Sequence, residues 1–324
     1  MDQPLPNKIQ IGVSGCLLGQ QVRYDGGHKR SRYCTEVLSH YFDFQPLCPE
    51  MGAGLGTPRQ AMHLVETDKG IRLRPTPKAD KEQGDDYTDM MNGFICSCLG
   101  GLRHLRGFIL MPKSPSCGME RVRIYNENRQ VLRHNGSGLF ANALMHRFPV
   151  LPVEEAGRLN DQRLRENFIE RVFFYDDWCR IVDDKLTPAA LLDFHTRHKF
   201  QLLAHDQATY RELGPMLANL KVNPLKQIAE NYIGKAMQAM SRIVSPGANV
   251  NVMQHIAGYF RDELEAHDRA MIGEQIDAYQ RGDVPLVVPM TLVRNAQRKI
   301  RQPYLGRQDY LHPYPDALGL RNEL

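Results

Sequence analysis

The chain has no apolar run approaching the ~20 residues needed to cross a bilayer. Its first residues, MDQPLPNKIQIGV, lack the basic stretch and apolar core of a secretory signal. Both absences point to the cytoplasm and away from a membrane. The seven cysteines match no CxxC or zinc-ribbon spacing, and without an export signal they are expected as reduced thiols rather than a disulfide framework. There is no GxxxxGK[ST] loop, which counts against chemistry driven by a nucleotide held there. Internal repeats and low-complexity tracts are also missing. Charge of one sign is scarce: a net +4 permits an anionic partner without requiring one.

What is present is an ordinary globular balance, 42% hydrophobic and 24% charged over 324 residues, long enough for two domains. The first half alternates short apolar runs, expected as strands at 9–14, 44–48, 107–111 and 148–152, with expected helices at 31–42 and 86–105. That alternation is the signature of an α/β fold with a Rossmann-like open parallel sheet. Residues 63–74 and 121–132 read as hairpins turned by Asp68-Lys69-Gly70 and Asn126-Glu127-Asn128, decorations beside the sheet. From Asp161 onward apolar residues recur at three- and four-residue steps, broken at Pro188, Pro215, Pro224 and Pro246, and an all-α domain follows. The expected divisions are residues 1–160, a connecting helix at 161–186, a helical domain at 187–310 and a tail at 311–324.

Three cysteines stand out. Cys16, Cys48 and Cys117 each lie just past a strand-like run, in the loops SGCLLG, CPEMGAGLGTPR and KSPSCG. Loops at the carboxyl ends of parallel strands converge on one crevice, so three distant thiols can meet. Three thiolates suggest an iron–sulfur cluster or a metal with one open position, and small or Pro-constrained neighbours let backbone N–H groups approach a bulky inorganic group. Each cysteine taken singly also reads as a small buried hydrophobe. A structural zinc site would usually want four closed ligands.

The motifs SGCLLG (14–19), VRYDGGHKR (22–30), CPEMGAGLGTPR (48–59) and KSPSCG (113–118) resemble the bacterial TudS-like thiouracil desulfurase family over residues 9 to about 160. FHTRHKFQLLAH (194–205) and YRELG (210–214) resemble the YbgA-like helical domain over 187 to about 305. Together they are similar to the fused desulfidases acting on 4-thiouridine in tRNA. The resemblance implies a 4Fe–4S cluster held by Cys16, Cys48 and Cys117 with the fourth iron open. It also implies hydrolysis of the thiocarbonyl to uracil and hydrosulfide, on tRNA, free thiouracil or both. Glu50 and Ser114 occupy the matching positions for acid/base work and for orienting water. No membrane and no obligate protein partner are implied.

Other residues read more openly. In Arg23-Tyr24-Asp25-Gly26-Gly27-His28-Lys29-Arg30, two glycines followed by His28, Lys29 and Arg30 and a helix from Ser31 can grip phosphate, while Tyr24 or His28 can stack on a base; equally, the loop reads as solvated charge. Cys96 and Cys98 read as core packing, and Cys34 and Cys179 receive no role. In the helical half, Arg294, Arg298 and Arg301 share a helix face, with Lys221, Lys226, Lys235 and Arg242 adding charge, a local surface for tRNA phosphates or a plain solvated face. His195, His198 and His205 can share a face too, but no carboxylate or thiolate stands at ligand spacing, so structural or RNA-contact roles are expected. Two other classes compete: a sulfur-insertion enzyme on tRNA, and a cluster-containing RNA-binding redox sensor with no turnover.

Overall fold

The computed structural model describes residues 8–76, 85–218, 220 and 224–322. The chain divides between Asn160 and Asp161 into two compact units. Among the described residues no helix is long and apolar enough to cross a membrane.

In the first unit the strands are β1 (Ile9–Ser14), β2 (Phe42–Leu47), β3 (Met62–Thr67), β4 (Gly70–Pro75), β5 (Phe108–Leu110), β6 (Val122–Tyr125), β7 (Val131–Gly136) and β8 (Val153–Glu155). Its helices are α1 (Pro49–Gly52), α2 (Thr88–Leu99) and α3 (Leu139–Arg147). Strands β2, β1, β5 and β8 form, in that order, an all-parallel sheet. Ile9, Ile11 and Val13 are buried on one face of β1, and Gly12 and Ser14 are buried on the other, so most of the strand is covered on both faces, as in a parallel sheet. Gly12 lies in the same strand, where a Cβ would sit 2.3 Å from the Phe108 ring, so only glycine admits that aromatic. From central β1 the chain crosses to β2 on one side and later returns to β5 on the other. This topological switch point opens a crevice at the strand ends.

Several expectations shift. The strand expected at 148–152 forms instead as Val153–Glu155, because Pro149 and Pro152 lack the amide donors a ladder needs. The helix expected at 31–42 shrinks to turns at Tyr33–Val37 and Leu38–His40. Its hydroxyls compete with the helical ladder: Ser31 Oγ accepts from Cys34 N at 3.3 Å, and Thr35 and Ser39 donate to carbonyls four residues back. The two hairpins are not separate decorations. They join through the parallel β3–β6 pair into a second four-stranded sheet, ordered β4, β3, β6, β7.

The second unit is helical: α4 (Gln162–Lys185), α5 (Pro188–His205), α6 (Gln207–Ala218), α7 (Leu225–Met240), α8 (Pro246–Gly258), α9 (Ala266–Arg281) and α10 (Val287–Ile300). Asp161, Thr187 and Ser245 cap α4, α5 and α8 by accepting from the N–H three residues on, and Pro188 and Pro246 stand in first turns where no amide is missed. Helix α4 buries Phe168, Ile169, Val172, Phe174 and Trp178, so residues 161–186 are core rather than connector. The expected tail is also packed. Leu311, Tyr314 and Leu320 are buried, and Arg321 donates to Glu166 Oε1 at 3.2 Å and to the Tyr310 carbonyl at 3.1 Å. Its Pro and Gly content suggested a loose end, but its aromatic and leucine anchors fix it.

Candidate functional site

Because β1 lies between β2 and β5, the residues leaving these three strands share one crevice. Cys16 follows β1 directly, Cys48 follows β2 and opens α1, and Cys117 lies seven residues past β5. All three are free, Cys16 and Cys117 buried and Cys48 half-buried, and all line a cavity of about 470 Å³ with Ser14, Glu50, Arg59 and Ser114. The Cys117 loop is clamped from outside. Leu139 N and Ala141 N donate to the carbonyls of Pro115 and Ser116, each at 3.0 Å. At Gly138, which caps α3, a Cβ would stand 2.4 Å from Ser116 backbone. Glu155 Oε1 accepts from Met119 N at 2.8 Å, fixing the chain beyond.

Glu50 is 7% exposed and forms the hub. The Cys48 thiol donates to its Oε2 at 3.3 Å, the Ser116 hydroxyl to its Oε1, and the Ser114 hydroxyl to Oε1 at 3.5 Å. Arg59 Nη2 stands 3.9 Å from the same oxygen. Burial, then the Glu50 charge, pushes the Cys48 thiol up to about 12. Burial and Glu50 also raise Cys16, and they raise Cys117 strongly, with Cys48 and Cys16 adding repulsion. With their pKa values raised, the three sulfurs rest as neutral thiols beside a carboxylate, a donor set that would give up its protons to a multiply charged cation bound there.

Three thiols are soft donors of the kind that hold iron in a cluster, or zinc. Among the described residues Asp177, His198 and Asp309 also form a group whose ligand atoms lie within 4.8 Å of one another.

The other expected residues divide. Ser114 is there, but its hydroxyl is committed to the loop, accepting from Ser116 N at 3.3 Å and Cys117 N at 3.1 Å. Tyr24 and Lys29 line the crevice; His28 and Arg30 do not. His28 Nδ1 accepts from Arg30 N at 3.2 Å, and Arg30 pairs with Glu36 at 3.1 Å, so the Gly-Gly loop closes on itself and no long helix follows to grip phosphate. Cys96 is exposed and Cys98 half-buried, against the core packing expected, whereas Cys34 and Cys179 are buried. Two site residues carried less weight in the sequence than the structure gives them. Ser116 makes the closer hydroxyl contact to Glu50. Arg59, which ends CPEMGAGLGTPR, donates from Nη1 to Val22 O at 3.0 Å and Gly56 O at 2.8 Å, while its buried Nε has no hydrogen-bond partner.

In the helical unit Arg294 is not available to phosphate. It pairs with Asp316 at 2.9 Å, donates to the Leu311 carbonyl at 2.6 Å, and anchors the C-terminal segment. Helical periodicity shows which residues share a face but not what covers it. Arg298 and Arg301 are exposed; Lys226 is exposed, Lys235 pairs with Glu212 and Arg242 with Asp206, and Lys221 lies outside the described residues. The histidines do find carboxylates, brought from far along the chain. His198 Nε2 stands 2.8 Å from Asp177 and 3.4 Å from Asp309, and His205 Nε2 3.3 Å from Glu170. Arg197 bridges Asp177 at 2.5 Å and Asp309 at 2.7 Å, so this trio already holds a cation of its own. His195 bonds the buried Tyr232 hydroxyl at 3.1 Å.

Comparison with known proteins agrees with this division. Residues 11–156 match the family model described as 2-thiouracil desulfurase, and residues 199–315 match DUF1722, a protein family of unknown function. Uncharacterized protein YbgA of Escherichia coli (strain K12) is 31% identical over 165 residues, which cover 51% of this chain and 98% of YbgA. Uncharacterized protein YbbK of Bacillus subtilis (strain 168) is 29% identical over 136 residues, 41% of this chain and 88% of YbbK. A solved [4Fe-4S]-dependent thiouracil desulfidase, TudS, is 28% identical, covering 48% of this chain and 95% of its own at a TM-score of 0.38. The chain therefore belongs to the family of YbgA, with a TudS-like 2-thiouracil desulfurase domain fused in front of its YbgA-like region.

Proposed function

We propose that this protein is a hydrolytic desulfidase of thiolated uracil, acting on 4-thiouridine in tRNA and able to accept free thiouracil. Cys16, Cys48 and Cys117 would hold a 4Fe–4S cluster. The observation that carries the reading is the hydrogen-bonded Glu50, buried among these three thiols and two serine hydroxyls. When bound, the cluster would supply an open iron that takes a soft thiocarbonyl sulfur in preference to oxygen and polarises the C–S bond.

The remaining steps belong to the chain. Water adds at C4, and Glu50, pinned two residues after a cluster ligand, accepts its proton. Ser116 and Ser114 donate to Glu50 Oε1 and aim the other oxygen into the crevice. As the C–S bond breaks, Glu50 returns that proton to the departing sulfur, which leaves as hydrosulfide, while the hydroxyl now at C4 releases its own proton and becomes the carbonyl of uracil; no net electron transfer is involved. The cationic Arg59, 3.9 Å from Glu50, orients that carboxyl between turnovers. The free state of every described cysteine supports a reducing compartment, the cytoplasm. In the helical unit, exposed Arg298 and Arg301 would add phosphate contacts.

The test is anaerobic reconstitution followed by incubation with 4-thiouridine-containing tRNA and, separately, with free 4-thiouracil, following loss of thiobase absorbance and release of sulfide. Cluster-dependent turnover that collapses in Glu50→Gln with the cluster retained supports the reading. Full turnover in that variant removes Glu50 from the chemistry.

A further inference from the structure

The second sheet of the α/β unit carries a basic surface that runs into the crevice. Strand register sorts its side chains. Leu64 lies opposite Ile124 and Leu73, all buried, so the alternate positions His63, Arg74, Arg123 and Tyr125 point to the other face. Of these, His63, Arg123 and Tyr125 line a second cavity of about 560 Å³, together with Lys113, Arg121 and His134; Arg74 lies outside it. No aspartate or glutamate lines it. The cavity shares Met62, Lys113 and Pro115 with the thiol crevice, so the two are continuous at Lys113.

Its charges are little compensated. Arg123 is exposed and forms no ion pair among the described residues. Arg121 meets Glu120 at 3.5 Å with its own side chain 78% exposed, a pairing worth little in water. Arg74 is the exception, held by Glu127 at 3.4 Å and by Asp86 at 3.9 Å toward the sheet's other edge. Aromatic faces accompany the cations. Tyr125 and His63 meet edge to face at 5.2 Å, and each ring is only half-buried. Cations without acids, interleaved with a tyrosine and imidazoles on an open sheet face, match the demands of single-stranded RNA: phosphates along the strand and bases stacked on rings.

We infer that this groove holds the nucleotides flanking the reacting base. The RNA strand lies along β6 and β3, with Arg123 and Arg121 on its phosphates and Tyr125 under a neighbouring base, while the thiolated base turns at Lys113 into the crevice. This rests on the thiolated-uracil reading above and names the feature by which the α/β unit itself would prefer a polynucleotide over a free base.

The experiment uses the full chain and a fluorescein-labelled single-stranded oligoribonucleotide of a few nucleotides, without sulfur, so that binding is read by anisotropy whether or not the protein turns over. Arg123→Glu and Tyr125→Ala, both on a surface away from Glu50 and the thiols, are each expected to weaken binding about tenfold. Arg123→Gln is expected to make the salt dependence shallower by about one charge. Turnover of free 4-thiouracil is expected to stay within about twofold in all three. Unchanged oligonucleotide affinity overturns the groove, as does equal competition by polyglutamate, which would make the surface a site for acidic protein. Loss of binding in the variants supports the groove even if no substrate is turned over, an outcome that would sink only the reaction. If the wild type binds no oligonucleotide but consumes free thiouracil, the reaction stands and the groove falls.

Discussion

In the α/β unit, the buried Glu50 carboxylate shares a crevice with three thiols whose pKa values are raised, and Arg59 comes no nearer to it than 3.9 Å. In the helical unit, Arg197 and His198 divide the carboxylates of Asp177 and Asp309, and Arg321 reaches Glu166, every charge matched within hydrogen-bond range. Both units bury ionisable groups and pair some of them, Glu154 with Arg158 at 2.6 Å in the first, but the buried carboxylate of the thiol crevice has only Arg59, at 3.9 Å. The unbalanced cluster is therefore read as a site awaiting a charged partner, and the balanced one as framework that fixes how helices and the C-terminal segment pack.

The comparison breaks most visibly at the thiols. Replacing Cys117 by Ala is expected to abolish cluster absorbance and turnover together, whereas Cys96→Ala leaves both intact; iron content and the visible spectrum decide it. Next in size, Glu50→Gln should lower kcat by about 10²- to 10⁴-fold with the cluster retained. Arg197→Ala should do the converse, keeping the cluster spectrum while costing roughly 1–3 kcal/mol by taking the guanidinium from the partly exposed Asp177 and Asp309. A melting curve unmoved by Arg197→Ala would end the framework reading. Smaller still, Ser116→Ala is expected to slow turnover about tenfold, since it removes the closer hydroxyl from Glu50. Ser114→Ala should instead lower iron occupancy, because it frees two amides of the Cys117 loop.

The smallest effect is in pH dependence. Burial, with Lys199 and His198 nearby, lowers His195 to about 4 from an ordinary 6.5. A histidine depressed in the folded state stabilises the fold fully above its unfolded pKa, so this contribution is lost as pH falls from about 6.5 toward about 4. Burial alone would raise the Glu170 carboxyl, but His205, Arg321 and Gln201 hold it down at about 2, so its contribution is lost further down, from about 4.5 toward 2. Melting temperatures across this range should fall in two stages, and His195→Gln should flatten the first. A flat profile in the wild type would remove both groups from the stability of the helical unit.

How legible was this in the sequence? The cysteines were, because each follows an apolar strand, and strand ends converge in a parallel sheet whatever the loop lengths. Glu50 was as well, pinned next to Cys48. The rank of Ser116 over Ser114 was not, since two hydroxyls two residues apart differ only in how the loop turns. The partners of His198 were hidden for another reason: Asp177 and Asp309 lie 21 and 111 residues away, beyond any helical spacing. The second sheet was half visible. Each hairpin shows its own turn, but the β3–β6 pair that joins them spans some sixty residues and leaves no local mark. Arg294 was misjudged because a stripe of arginines looks alike whether water or a C-terminal segment covers it.

The placement of the thiols on three strands also sets a clock. Cys16 leaves the ribosome early, but Cys117 follows a hundred residues later, and the loop that carries it is fastened by Gly138, α3 and finally Glu155. At a synthesis rate of about 5–20 residues per second, roughly 7 to 30 s separate the first ligand from the last brace. For that interval the three thiols emerge one after another without the closed sheet that brings them together. On the proposed reading, cofactor insertion would wait until the sheet has closed, and a substitution that delays closure, such as a side chain at Gly12 against Phe108, would register as a failure to load iron although all three cysteines are intact.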